Sequence, residues 1–208
     1  VVEANPAMEV ETAKVPKRLP DCVKMENVER LFDKAERGDD FEEVRDRLIM
    51  LMLFTTGIRR GELVGLRDRD VSANELKVHG KRNKDRIVPF GPELSEEIAN
   101  YRAIRAAQVG ETEMFFVRSN GEAVYPTLVY RLVHKELSEV GGCSRYSPHV
   151  LRHTFASAML NNGAQLNSVK ELLGHESLAA TQVYTHITHR ELKSKYKHAH
   201  PRALKKGG

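Results

Sequence analysis

The sequence predicts a mainly α domain with one small antiparallel β-sheet, an α+β fold. Three observations carry this. Between residues 25 and 184 most apolar residues recur at three- and four-residue spacing, the period of a helix with one buried face. The period drops to two only once, between Glu75 and Phe90. Glycines and Asn-Gly steps close the helical stretches.

Residues 1–20 hold Pro6, Pro16 and Pro20 and little periodicity, and read as a linker ahead of a domain over 21–208. From Met25, Val28, Leu31, Phe32 and Ala35 share a helical face, which Gly38-Asp39-Asp40 ends. Phe41 to Thr56 forms a second helix, apolar nearly all round from Leu48 to Phe54 and therefore central and buried. Gly57 stops it, and a short helix follows from Arg59 to about Leu66. Glu75–His79 and Arg86–Phe90 alternate as strands of a hairpin whose tip, Gly80 to Asp85, is basic. Pro92 opens a helix running to about Ala107, Met114–Val117 suits a short third strand, and Pro126–Val140 is helical up to Gly141-Gly142. Ser147-Pro148 opens a helix that stops at Asn161-Asn162-Gly163, with Leu151, Phe155 and Ala158 on one face. His149 and Arg152, three residues apart, point together from a neighbouring face. A shorter helix ends at Gly174, with Ser168 and Glu171 spaced as a capping box, and Ser177 can cap a helix carrying Tyr184.

Composition narrows the function classes. A length of 208 residues, 40% of them hydrophobic and 30% charged, suits one domain with a sizeable core. Cys22 and Cys143 make neither a disulfide framework nor a zinc motif, which favours a reducing, cytoplasmic setting. No apolar run approaches the roughly 18 residues of a membrane span. Positive charge is clustered: beyond Tyr184 seven Lys and Arg face only Glu191, and Lys77 to Arg86 sets five against Asp85. Such clusters suit a polyanion held through its phosphates, although a basic tail can also be a solvated extension.

The stretch Ser147–His186 packs His149, Arg152, Gly174-His175 and Tyr184 together. Two histidines, an arginine and a tyrosine are what a site needs to hold an anionic phosphate and attack it. Guanidiniums fork onto non-bridging phosphate oxygens. Each preorganised donor of this kind typically lowers a barrier by about 2.7–4 kcal/mol. Tyrosine, with an ordinary pKa of about 10, becomes a nucleophile only when its proton is lowered or removed. His149 and His153 are spaced as a metal pair, but the Glu of a His-Glu-x-x-His site is missing.

Five motifs in one order resemble the tyrosine recombinase, or phage integrase-like, family in its Xer-type and mobile-element branches. They are Thr56-Gly57-Ile58-Arg59-Arg60-Gly61-Glu62-Leu63, the Gly80–Arg86 hairpin tip, His149-Val150-Leu151-Arg152-His153, Leu172-Leu173-Gly174-His175, and Tyr184 nine positions on. The resemblance covers roughly residues 21–200. It implies a catalytic set of Arg59, Lys81, His149, Arg152, His175 and the nucleophile Tyr184, with Lys81 protonating the leaving 5′ oxygen; Lys84 is a near-equivalent that spacing leaves open. Glu62, three residues after Arg59, could orient it. Arg60, Arg82, Lys84, Arg86 and His153 are expected to contact DNA.

The resemblance implies no metal and no nucleotide cofactor. It implies site-specific cleavage and rejoining of double-stranded DNA through a 3′-phosphotyrosyl bond, by a tetramer of recombinase subunits on paired sites, in the cytoplasm at the nucleoid. Members of the family usually carry a further N-terminal helical domain of roughly a hundred residues, of which residues 1–20 would be the remnant. A tail helix at about 188–200 either folds back on its own domain or docks in trans on a neighbouring subunit. A type IB topoisomerase, a DNA-binding accessory protein and a metal-dependent nuclease are the competing readings.

Overall fold

Helix α2 (Phe41–Thr56) is the axis of the structure, a computed structural model that describes residues 23, 25–33, 38, 40–80, 85–142 and 144–174. Its start is fixed by Asp40, whose carboxylate accepts the Glu42 amide at 3.1 Å, and its end by Gly57 at φ +63°. Every residue from Leu48 to Thr56 is buried, as the all-round apolar sequence predicts. Each of its fully buried aliphatic side chains contributes about 1.5–3 kcal/mol through removal from water.

Around that axis pack α4 (Pro92–Val109), α6 (Pro148–Asn161), α5 (Pro126–Val140) and the short α3 (Arg60–Val64). The first helix, α1 (Met25–Asp33), lies on α5 and buries Val28 and Leu31. Beside it, the Val23 amide donates to the Thr154 hydroxyl of α6 at 3.0 Å, which ties the start of the described chain to the helix bearing His149 and Arg152. Strands β1 (Glu75–His79) and β2 (Asp85–Pro89) pair antiparallel from Glu75 opposite Pro89 to His79 opposite Asp85. Leu76, Val78 and Val88 point into the core, while α7 (Leu166–Leu173) packs against β2 and α6. The mainly α fold with one small antiparallel sheet is thus the fold of the chain.

Two expectations are corrected. Residues 114–117 make isolated bridges, Met114 to Arg67 and Val117 to Ala123, in place of a third strand. Phe115 and Phe116 are both fully buried, so the in-and-out alternation of a strand is lost there. They join Tyr101 and Phe41 in an aromatic cluster with centroids 4.8–5.9 Å apart. Ser168 is no helix cap: α7 begins at Leu166 after Gln165, and the Ser168 hydroxyl is buried inside the helix without a partner among the described residues. The proposed linker, the hairpin tip 81–84, both cysteines and the tail helix lie outside the described residues.

Candidate active site

The site begins where α2 stops. Gly57 adopts the left-handed conformation with its carbonyl turned toward α6, and the chain then runs extended through Arg59 into α3. Arg59 caps α3 from outside, and the Glu62 carboxylate reaches back to accept the Arg59 amide at 2.7 Å, so one carboxylate both starts the helix and holds the arginine. The other oxygen of Glu62 accepts the Arg59 side chain at 2.8 Å. The second terminal nitrogen of Arg59 donates to the Gly174 carbonyl at 2.9 Å. Its side chain stays 41% exposed, and only two of its five N–H donors are engaged among the described residues.

Arg152 comes from one turn inside α6 and is buried, donating to the Gly57 carbonyl and the Leu173 carbonyl, both at 2.6 Å. Burial, and after it the neighbouring Arg59 and Arg86 cations, bring its pKa down to about 10, which leaves it charged at neutral pH. His149, one turn earlier, is exposed at the mouth. Arg59, Arg60, His149 and Arg152 line one cleft together with Tyr130 of α5, Ile58, Ser147 and Pro148. Arg60 sits 6.0 Å over the Tyr130 ring. Beneath the cleft, Arg86 of β2 forks onto Glu62 with bonds of 2.9 and 2.8 Å. Hydrogen bonds from Arg86 and Arg59 outweigh the cost of burial and lower the Glu62 pKa to about 2.

The structure therefore brings together Arg59, His149 and Arg152 of the expected catalytic set, with Glu62 behind Arg59 as expected from its spacing. Lys81, His175 and Tyr184, and Arg82 and Lys84 of the expected DNA contacts, lie outside the described residues. Arg60 and His153 are exposed and Arg86 is turned inward. Sequence reasoning missed Tyr130. It stands off the buried stripe of α5 (Val129, Val133, Leu137, Val140), and a large aromatic outside the apolar stripe was the available signal.

This geometry gathers the cationic side chains of Arg59, Arg60 and Arg152 in one cleft. Residues 22–191 match the model of the phage integrase family. The chain is 39% identical to the tyrosine recombinase XerC of Chlorobaculum tepidum, covering 97% of this chain and 67% of that protein. It is 38% identical to the XerC of Staphylococcus aureus (strain bovine RF122 / ET3-1), covering 97% and 68%. It spans about two thirds of the length of these curated relatives. Among solved structures it resembles the XerA recombinase (TM-score 0.68, 29% identity, 88% of this chain and 66% of that one). It also resembles the XerH site-specific recombinase in its pre-cleavage complex with difH (TM-score 0.67, 26% identity, 87% and 55%). The chain belongs to the phage integrase family. Its activity class is that of the tyrosine recombinases, site-specific DNA strand transferases. Among the described residues, no helix is long and apolar enough to cross a membrane.

Proposed function

We propose that this chain cleaves and rejoins duplex DNA at a specific site through a 3′-phosphotyrosyl bond to Tyr184, and exchanges strands between paired sites. The observation that carries the reading is the convergence of Arg59, Arg152 and His149 on one cleft, with Glu62 behind Arg59. The Tyr184 oxygen attacks the phosphorus as the bond to the 5′ oxygen breaks; the tyrosyl proton leaves to a base, and Lys81 protonates the leaving 5′ oxygen. Arg59 and Arg152 take the non-bridging oxygens, whose charge grows in the trigonal-bipyramidal transition state, and His149 and His175 add donors. A free 5′ hydroxyl reverses the step and restores the phosphodiester, so the bond energy is conserved and no metal or nucleotide is called on.

Arg60, which lines the cleft, the exposed His153, and Arg82 and Lys84 of the hairpin tip supply phosphate contacts to double-stranded DNA. Two sites are paired by four subunits, with the basic segment beyond residue 187 docking on the next subunit in a closed ring. The reaction takes place in the cytoplasm, at the nucleoid. Deleting residues 188–208 is expected to weaken assembly on paired sites more than binding to one site; equal losses count against exchange in trans. The reading itself is tested with a nicked suicide duplex bearing a site recovered by covalent selection from a random library. A protein–DNA adduct that survives SDS and forms in EDTA is expected. No adduct, or one that needs a divalent cation, refutes it.

A further inference from the structure

Arg86 belongs to one of the two basic stretches of the chain, and as a sequence it reads as a DNA contact. Its surroundings say otherwise. The side chain is 13% exposed, and all three of its nitrogens donate inward: Nη1 and Nη2 to the two oxygens of Glu62 at 2.9 and 2.8 Å, and Nε to the Leu172 carbonyl at 2.8 Å. Gly174 presses against the guanidinium so closely that a Cβ there would lie 3.1 Å from Nη1. Arg86 does not line the cleft.

The bonds around it close into a lattice. Each oxygen of Glu62 accepts one bond from Arg86 and one from Arg59, the latter through its side chain on one oxygen and its amide on the other. The last two carbonyls of α7 and that of its C-cap take one arginine each: Leu172 takes Arg86, Leu173 takes Arg152 and Gly174 takes Arg59. These are the carbonyls a helix end leaves without partners, at its electronegative end. Two arginines of the lattice face the cleft; the third holds the acceptors that aim them.

We propose that Arg86 is a positioning residue of the strand-transfer site, fixing the plane of Glu62 and the end of α7 so that Arg59 and Arg152 face the phosphate. This rests on the reading of the cleft given above. Its fork also balances the carboxylate. Without it Glu62 would be left with Arg59 alone, and the charge of Arg59 would be neutralised by its own support instead of reaching the substrate.

The test compares Arg86→Ala and Arg86→Lys with the unaltered 208-residue chain. Adduct formation on the nicked duplex and equilibrium binding of the same duplex are measured across salt concentration. A misplaced guanidinium costs on the order of 100-fold in rate, so that loss is expected for Arg86→Ala, with affinity within about twofold. The slope of log affinity against log salt should not change, whereas loss of one phosphate contact lowers it by about 0.9. In a Glu62→Ala background the further loss should shrink below about threefold, because the two residues act as one unit. Added methylguanidinium should restore part of the Arg86→Ala rate, which it would not do for a protein that had merely lost its fold.

Arg86→Lys keeps the charge and loses the fork, and should fall between; it serves alone if Arg86→Ala does not fold. A full rate in both variants, a reduced salt slope, or losses that multiply in the Glu62→Ala background overturn the proposal. If the unaltered chain forms no adduct, the functional reading fails on its own. The side-chain NH resonances of 15N-labelled Arg59 then still decide. Slow guanidinium rotation that becomes fast in Arg86→Lys supports positioning, and unchanged Arg59 signals refute it.

Discussion

Replacing Gly57 with alanine strikes the backbone hinge on which the site is built. At φ +63° an L-residue costs about 1–2 kcal/mol against its preferred backbone conformation. The new methyl would also lie 2.5 Å from Phe155 Cδ1 and 2.9 Å from Leu173 Cδ2, both side chains buried in the core. Forcing a methyl into a packed interior costs a further ~1–3 kcal/mol. The total, about 2–5 kcal/mol, corresponds to a Tm lower by roughly 4–20 °C for a chain of this size. Calorimetry should show it. Gly121→Ala is the control, since Gly121 also has a positive φ (+82°) but, among the described residues, no atom within 4 Å of its added Cβ, so the backbone cost remains. Because the Gly57 carbonyl accepts Arg152, adduct formation by Gly57→Ala should fall even below its Tm. If Gly57→Ala melts within a degree or two of Gly121→Ala, the packing account of this corner is wrong.

Acid titration probes Glu62. Its pKa is about 2 in the folded chain against 4.5 for the free group, so its contribution is present above pH 4.5 and lost as the pH falls toward 2. The shift is equivalent to roughly 3–4 kcal/mol, and urea unfolding at a series of pH values should show a shallower acid loss in Glu62→Gln than in the unaltered chain. Tyr101→Phe leaves the Val117 amide, which donates to the Tyr101 hydroxyl at 3.1 Å, without its partner in the core. A loss of about 1–3 kcal/mol is expected by denaturant unfolding, and a change under 0.5 kcal/mol contradicts it. Thr154→Val should release the Val23 amide bonded to it, seen as faster hydrogen exchange at Val23 with little change in the middle of α2.

Legibility in the sequence followed the strength of local signals. Helix α2 and helix α5 have the bounds expected of them because Asp40, Gly57, Pro126 and Gly141 act on their own neighbours. The hairpin was visible through its alternation, displaced by one residue at β2. The run 114–117 misled because two adjacent phenylalanines suit a strand by propensity, yet both are drawn inward by Tyr101. Ser168 misled because a capping pattern is defined by residue type, while the start of α7 was set by which face, Val169, Leu172 and Leu173, could be buried.

In the site, the Arg59–Glu62 pair was readable from a three-residue spacing. The partnership of Glu62 with Arg86 was not, because the two lie 24 positions apart in different elements and a cation inside a basic run carries no mark of being buried. For the same reason the three carbonyls at the end of α7 and its cap that hold the arginines are invisible in sequence: backbone acceptors have no residue identity.

The most direct measurement is the identity of the residue that carries the DNA. The adduct trapped on the nicked duplex is digested with protease and nuclease, and the peptide bearing the residual nucleotide is sequenced by mass spectrometry. The nucleotide is expected on Tyr184, and Tyr184→Phe should form no adduct. A nucleotide on Tyr130, which borders the cleft, or an adduct persisting in Tyr184→Phe, would contradict the account.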